Sequence, residues 1–126
     1  MQAITPYLLY EDGEAAIEFA VRAFGFREVD RVTGSGGGLH AELELPPHGG
    51  RVYFGQPGPS FRNPSEVGST AAVYALVEGV DSHCERAIAE GATVFQELND
   101  TLFGHRQYGC SDTQGHDWFF AEPIAR

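Results

Sequence analysis

The 126-residue chain repeats itself, and the repeat narrows its possible folds. Leu9-Tyr10-Glu11 stands before one candidate helix as Leu76-Val77-Glu78 stands before another, 67 positions on. The glycines that would close those helices, Gly25 and Gly91, differ by 66. A period of this size marks a duplicated supersecondary unit that cannot bury both faces of its own sheet without its twin.

The same order of elements can be read around both anchors. Ile4–Tyr10 reads as a strand with Thr5, Tyr7 and Leu9 on one side. Asp12 offers an N-cap for a helix running to about Phe24, with Ile17, Val21 and Phe24 at i, i+4, i+7 spacing. Gly25 sits where a left-handed residue ends such a helix. Strands are expected at Phe26–Val32, Leu39–Leu45 and Arg51–Gly55, parted by the turn tracts Gly34–Gly38 and Pro46–Gly50. Within His40–Leu45, Ala41, Leu43 and Leu45 alternate with His40, Glu42 and Glu44. In the second copy, Ala72–Glu78 reads as a strand and Asp81–Glu90 as a helix with Cys84, Ala87 and Ile88 inward. Strands follow near Thr93–Leu98, His105–Ser111 and Asp117–Glu122.

This order is βαβββ, twice. It divides a single domain, 1–126, into a first module at 3–56, a proline- and glycine-bearing connector at 57–70 and a second module at 71–122. The fold class is therefore α+β. Two such modules side by side would form a curved eight-stranded mixed sheet, with helices outside and a concave cavity inside.

Charge excludes several partners. Eight arginines and no lysine face eighteen carboxylates, for a formal net charge of -10. Such a field repels nucleic acid and anionic membrane surfaces, leaving neutral or cationic small molecules. The longest apolar run, Ala71–Val77, is far short of the roughly 20 residues of a membrane span. Met1–Tyr10 has no basic residue and meets Glu11 and Asp12 at once, unlike a secretory signal. Cys84 and Cys110 are too few for a disulfide framework and read as reduced thiols of a cytoplasmic protein. No Gly-x-Ser-x-Gly element is present, and the glycine tract after Ser35 precedes no helix that could cradle phosphate.

Thr5-Pro6-Tyr7-Leu8, Ala15–Phe19 and Phe24-Gly25-Phe26 resemble the opening of the vicinal oxygen chelate superfamily. That group includes glyoxalase I, bleomycin resistance proteins and extradiol dioxygenases. Phe103–Gly109 and Asp112–His116 resemble its closing segment, with Thr113 where proline is usual. The resemblance implies the glyoxalase/bleomycin resistance fold, and a homodimer, since a second chain often completes the cavity in such proteins. It does not fix the activity, because this fold hosts lyases, oxygenases and non-catalytic drug binders.

The resemblance also implies where a metal would sit. Metal-dependent members supply His or Gln, Glu, His and Glu from the first, fourth, fifth and eighth strands. Here those positions fall on Thr5, on Phe54 or Tyr53, on Ala72 and on Phe119. None is a usual ligand, so neither a metal nor another cofactor is expected. An alternative is a metal-dependent lyase or dioxygenase with non-standard ligands from His40, His105 and His116. These histidines lack metal-ligand spacing and read first as locally hydrogen-bonded surface or turn residues. His83, beside Cys84 on the second helix, reads as a solvated side chain, and His48 as a turn residue.

An apolar, aromatic cavity takes the place of the metal. Tyr7, Tyr53, Phe54, Tyr74, Trp118 and Phe119 are the candidate ligand-binding residues, offering flat surfaces, with polar tips on the tyrosines and tryptophan. Each equally suits the core, and of Trp118 and Phe119 one must face away from the cavity. Trp118-Phe119-Phe120-Ala121-Glu122 is similar to the end of bleomycin resistance proteins, which sequester a cationic ligand. The expectation is a metal-free binder of an aromatic or cationic small molecule.

Overall fold

The protein is described by a computed structural model covering residues 2–34 and 38–124. The centre of the expected turn tract Gly34–Gly38, Ser35–Gly37, lies outside the described residues. The first module runs β1 (Tyr7–Leu9), α1 (Gly13–Phe19), β2 (Arg27–Thr33), β3 (Leu39–Leu45) and β4 (Gly50–Gly55). A short helix, α2 (Pro64–Val67), lies in the connector. The second module runs β5 (Ala72–Leu76), α3 (Val80–Ala89), β6 (Thr93–Asp100), β7 (His105–Ser111) and β8 (Asp117–Pro123).

The duplication is carried into the ladders. One sheet has the order β1-β4-β3-β2 and the other β5-β8-β7-β6. In each, the first and last strands of the module pair parallel and the rest antiparallel. The fold is α+β, as expected. Among the described residues no ladder joins β1 to β5, so the eight strands form two four-stranded sheets rather than one continuous sheet. A cavity of about 600 Å³ is lined from both of these edge strands instead.

Asp12 caps α1 as expected, its carboxylate accepting the Ala15 N–H at 3.0 Å. The helix then widens into a π-helical turn over Ala20–Phe24, ended by Gly25 at φ 82°. The wide turn breaks the 3.6-residue period, so Val21, expected inward, is 38% exposed while Ala20, Ala23 and Phe24 are buried. On α3 the buried stripe is narrow, centred on Val80, Cys84 and Ala87. Ile88, expected inward, falls at its rim and is 54% exposed.

One apolar core serves both modules. Phe24 packs on Trp118 and Phe120 with ring centroids 5.3 and 4.7 Å apart, and Tyr10 packs on Phe54 at 4.8 Å. Against this core lies the buried Asp112. It accepts hydrogen bonds from the Tyr10 hydroxyl at 2.7 Å, Trp118 Nε1 at 3.1 Å, and the backbone N–H groups of Gln114 and His116. This carboxylate ties the first module to the last strand.

His83 is not the solvated residue expected from its place on the helix. It is half-buried, its ring 4.4 Å from that of Phe120. Nε2 lies 2.8 Å from the Phe24 carbonyl, to which it must donate, so Nδ1 accepts from the Tyr108 hydroxyl at 2.6 Å. Burial holds this imidazole below its ordinary pKa. The Phe24 carbonyl opposes that shift and nearby Arg86 adds to it.

Candidate functional site

Strand alternation leaves each sheet one face away from the core. In the first sheet Leu8, Ala41, Leu43, Val52 and Phe54 pack into or against the core, which turns Tyr7, His40 and Tyr53 to the open face. In the second, Trp118, Phe120, Tyr108 and Cys110 are buried, which turns Tyr74, His105, Gln107 and Phe119 outward.

The two open faces carry matching clusters. The Tyr7 hydroxyl lies 3.0 Å from His40 Nδ1, and the Tyr53 ring stands edge-on to Tyr7 at 5.9 Å. The Tyr74 hydroxyl lies 2.8 Å from His105 Nδ1, and its ring stacks with Phe119 at 6.1 Å. The partners are ladder neighbours, Tyr7 opposite Tyr53 and Tyr74 opposite Phe119. Tyr7 and Tyr74 both line the cavity of about 600 Å³, a volume suited to a small organic ligand.

Four of the six expected ligand-binding residues, Tyr7, Tyr53, Tyr74 and Phe119, thus lie on the open faces. Phe54 and Trp118 do not. Phe54 is 1% exposed and Trp118 fully buried, each one residue out of phase with an open-face neighbour. Trp118 is held inward by its hydrogen bond to Asp112.

Four residues that shape the second cluster were not expected from the sequence. Phe95 stands edge-on to Phe119 at 5.5 Å. Gln107 accepts from the Tyr74 hydroxyl at 2.8 Å and donates to Gln96 Oε1 at 2.7 Å. Gly109 forms the floor, since a Cβ there would lie 2.6 Å from Phe95 Cε1 and 2.9 Å from Phe119 Cε1. An isolated glycine inside a strand is the one available signal of such a close approach.

The electrostatics of the two faces differ. On the first, Arg51 hydrogen-bonds Glu42 and Glu44, and Arg27 reaches Glu44 at 2.6 Å. The Arg27 hydrogen bond, with help from Arg51, holds the Glu44 carboxyl below its ordinary pKa. On the second, burial raises the pKa of the Tyr74 hydroxyl and keeps it a donor at neutral pH.

The metal implied by the resemblance does not fit these residues. Ala72 and Phe119 carry no donor atom, and Thr5 and Tyr53 offer only hydroxyls. His40 and His105 face tyrosine hydroxyls, and His116 Nε2 lies 2.6 Å from the Leu9 carbonyl. Among the described residues no group of three or more His, Cys, Asp or Glu side chains is placed to hold an ion.

Comparison with known proteins agrees with this architecture. The uncharacterized protein Rv0887c of Mycobacterium tuberculosis is 34% identical over 97% of this chain and 75% of its own length. TioX from Micromonospora sp. ML1 superposes with a TM-score of 0.76 at 32% identity, covering 98% of this chain and all of TioX. TnmS3, an antibiotic binding protein from Streptomyces sp. CB03234, superposes at 0.74 with 21% identity, covering 98% of this chain and 99% of its own. A sequence model of the Glyoxalase/Bleomycin resistance protein/Dioxygenase superfamily matches residues 4–120. With the duplicated βαβββ order, that match makes this chain a member of the glyoxalase/bleomycin resistance protein/dioxygenase superfamily.

Proposed function

We propose that the protein binds a planar aromatic small molecule, neutral or cationic, without a metal, and protects its cell by sequestration rather than by catalysis. The observation that carries this reading is the pair of tyrosine–histidine–aromatic clusters on the open faces, with Tyr7 and Tyr74 lining one cavity of about 600 Å³. Rings with hydroxyl tips supply stacking surface and hydrogen bonds together. The net charge of -10 would raise the local concentration of a cationic ligand. TnmS3, which shares the fold, is an antibiotic binding protein, which supports a binding role for this fold without naming a ligand here.

The protein acts in this reading as a homodimer in the cytoplasm. Tyr74, Phe95 and Phe103 leave aromatic surface on the second module that a second chain would cover in part, and both thiols are buried and free. Sedimentation at micromolar concentration is expected to give twice the monomer mass. A monomer mass throughout would rule out the dimer.

Titration calorimetry against a panel of planar compounds, before and after treatment with EDTA, tests the proposal. Micromolar binding unaffected by chelation is expected. Binding that disappears with EDTA and returns with zinc, nickel or iron would overturn it in favour of a metal-dependent reaction.

A further inference from the structure

The polar network beneath the second cluster fixes which way His105 presents its proton. Its outermost member is Asn99, whose Nδ2 lies 2.8 Å from the Glu97 carbonyl and 3.4 Å from that of Gln107. Carbonyl oxygens only accept, so this atom is the amide nitrogen, and at 3.2 Å it donates to Gln96 Oε1. Gln96 Oε1 therefore faces a second donor at 2.7 Å, the Gln107 Nε2. That orients the Gln107 amide and makes its Oε1 the acceptor for the Tyr74 hydroxyl at 2.8 Å.

A phenol has one proton. Tyr74 gives it to Gln107, so its contact with His105 Nδ1 at 2.8 Å is made by an Nδ1–H donating to the phenol oxygen. Neutral His105 is then the Nδ1–H tautomer, and its Nε2 carries a lone pair. Nε2 has no hydrogen-bond partner among the described residues, yet no side-chain nitrogen or oxygen among them is both buried and unpartnered. The lone pair is thus open to solvent, on a ring flanked by Tyr74 at 5.9 Å and Phe103 at 5.4 Å. His40 differs, because the Tyr7 hydroxyl has no second acceptor among the described residues and is free to donate to the ring.

We infer that the face formed by Tyr74, His105 and Phe103 selects aromatic ligands that carry an N–H or O–H group, which donates to His105 Nε2. The inference rests on the binding role proposed above and adds the class of ligand. It makes His105 a specificity-determining residue and Tyr74, Gln107, Gln96 and Asn99 positioning residues that hold its tautomer.

The experiment uses the intact chain with 2-naphthol and 2-methoxynaphthalene, which share a ring system and differ in the donor. Nitrogen-15 NMR of the histidines in the free protein at pH 8 is expected to show His105 as the Nδ1–H tautomer. Titration is expected to show naphthol binding about ten-fold more tightly. His105→Phe is expected to abolish the preference while both compounds still bind. Tyr74→Phe is expected to let both tautomers populate and to shrink the preference. An Nε2–H tautomer in the wild-type chain would overturn the inference with no variant needed. Equal binding of both compounds would overturn it while leaving the binding role intact, and no binding of either would overturn both.

Discussion

A buried carboxylate and a half-buried imidazole hold this molecule in ways that can be measured. Asp112 accepts two side-chain and two backbone hydrogen bonds against the core. Asp112→Ala would strand the Tyr10 hydroxyl and the Trp118 indole N–H, each left without its buried acceptor. A loss of about 3 kcal/mol is expected, read as a fall in melting temperature of roughly 10 °C. His83 makes stability depend on pH. Its folded pKa lies below its unfolded value, so the unfolded chain binds the proton more tightly. Its contribution is therefore full above about pH 6.5 and declines as pH falls from there toward the folded pKa. Urea denaturation at pH 7.5 and 5.5 is expected to show a larger loss in the wild type than in His83→Gln. Equal losses would show that His83 is not the group responsible. Neither role was legible in the sequence, because each needs a partner from the other module: Tyr10 lies 102 positions from Asp112, and Phe24 lies 59 from His83.

Among the elements, the strands were legible where one face is polar and obscure where both faces are aromatic. His40–Leu45 alternates cleanly, and its buried and open residues fall as the alternation requires. Tyr53-Phe54 and Trp118-Phe119 offer an aromatic side chain to both faces, and a slip of one residue exchanges them. The core contacts of Phe54 and Trp118 settle the phase. The first helix was readable up to Phe19 but not through the π-helical turn, where periodic spacing fails. Strand β7 owes its role to a missing side chain at Gly109, over which Phe95 and Phe119 close. Gly109→Ala would push both rings outward. It is expected to weaken binding of planar compounds about ten-fold while shifting the melting temperature by less than roughly 5 °C. Unchanged affinity in a folded variant would place the ligand elsewhere.

At the scale of the whole molecule, duplication accounts for both the architecture and the candidate site. Each module contributes a tyrosine from its first strand, a histidine from its third and an aromatic residue from its fourth. The period that exposed the fold in the sequence also relates the two clusters, since Tyr74 follows Tyr7 by the same 67 positions that separate the helix-leading segments. The two copies have diverged in their surroundings. Arginine–carboxylate pairs border the first cluster, while an uncharged amide chain supports the second. In the proposed function these open faces bind a planar molecule with no metal. Chemical-shift mapping of the isotope-labelled protein, titrated with an aromatic compound in EDTA, addresses it most directly. Shifts concentrated at Tyr7, His40, Tyr53, Tyr74, His105 and Phe119 are the expected result. Saturating compound that leaves those residues unmoved, or moves them only after a divalent metal is added, would show that the open faces are not a metal-free binding site.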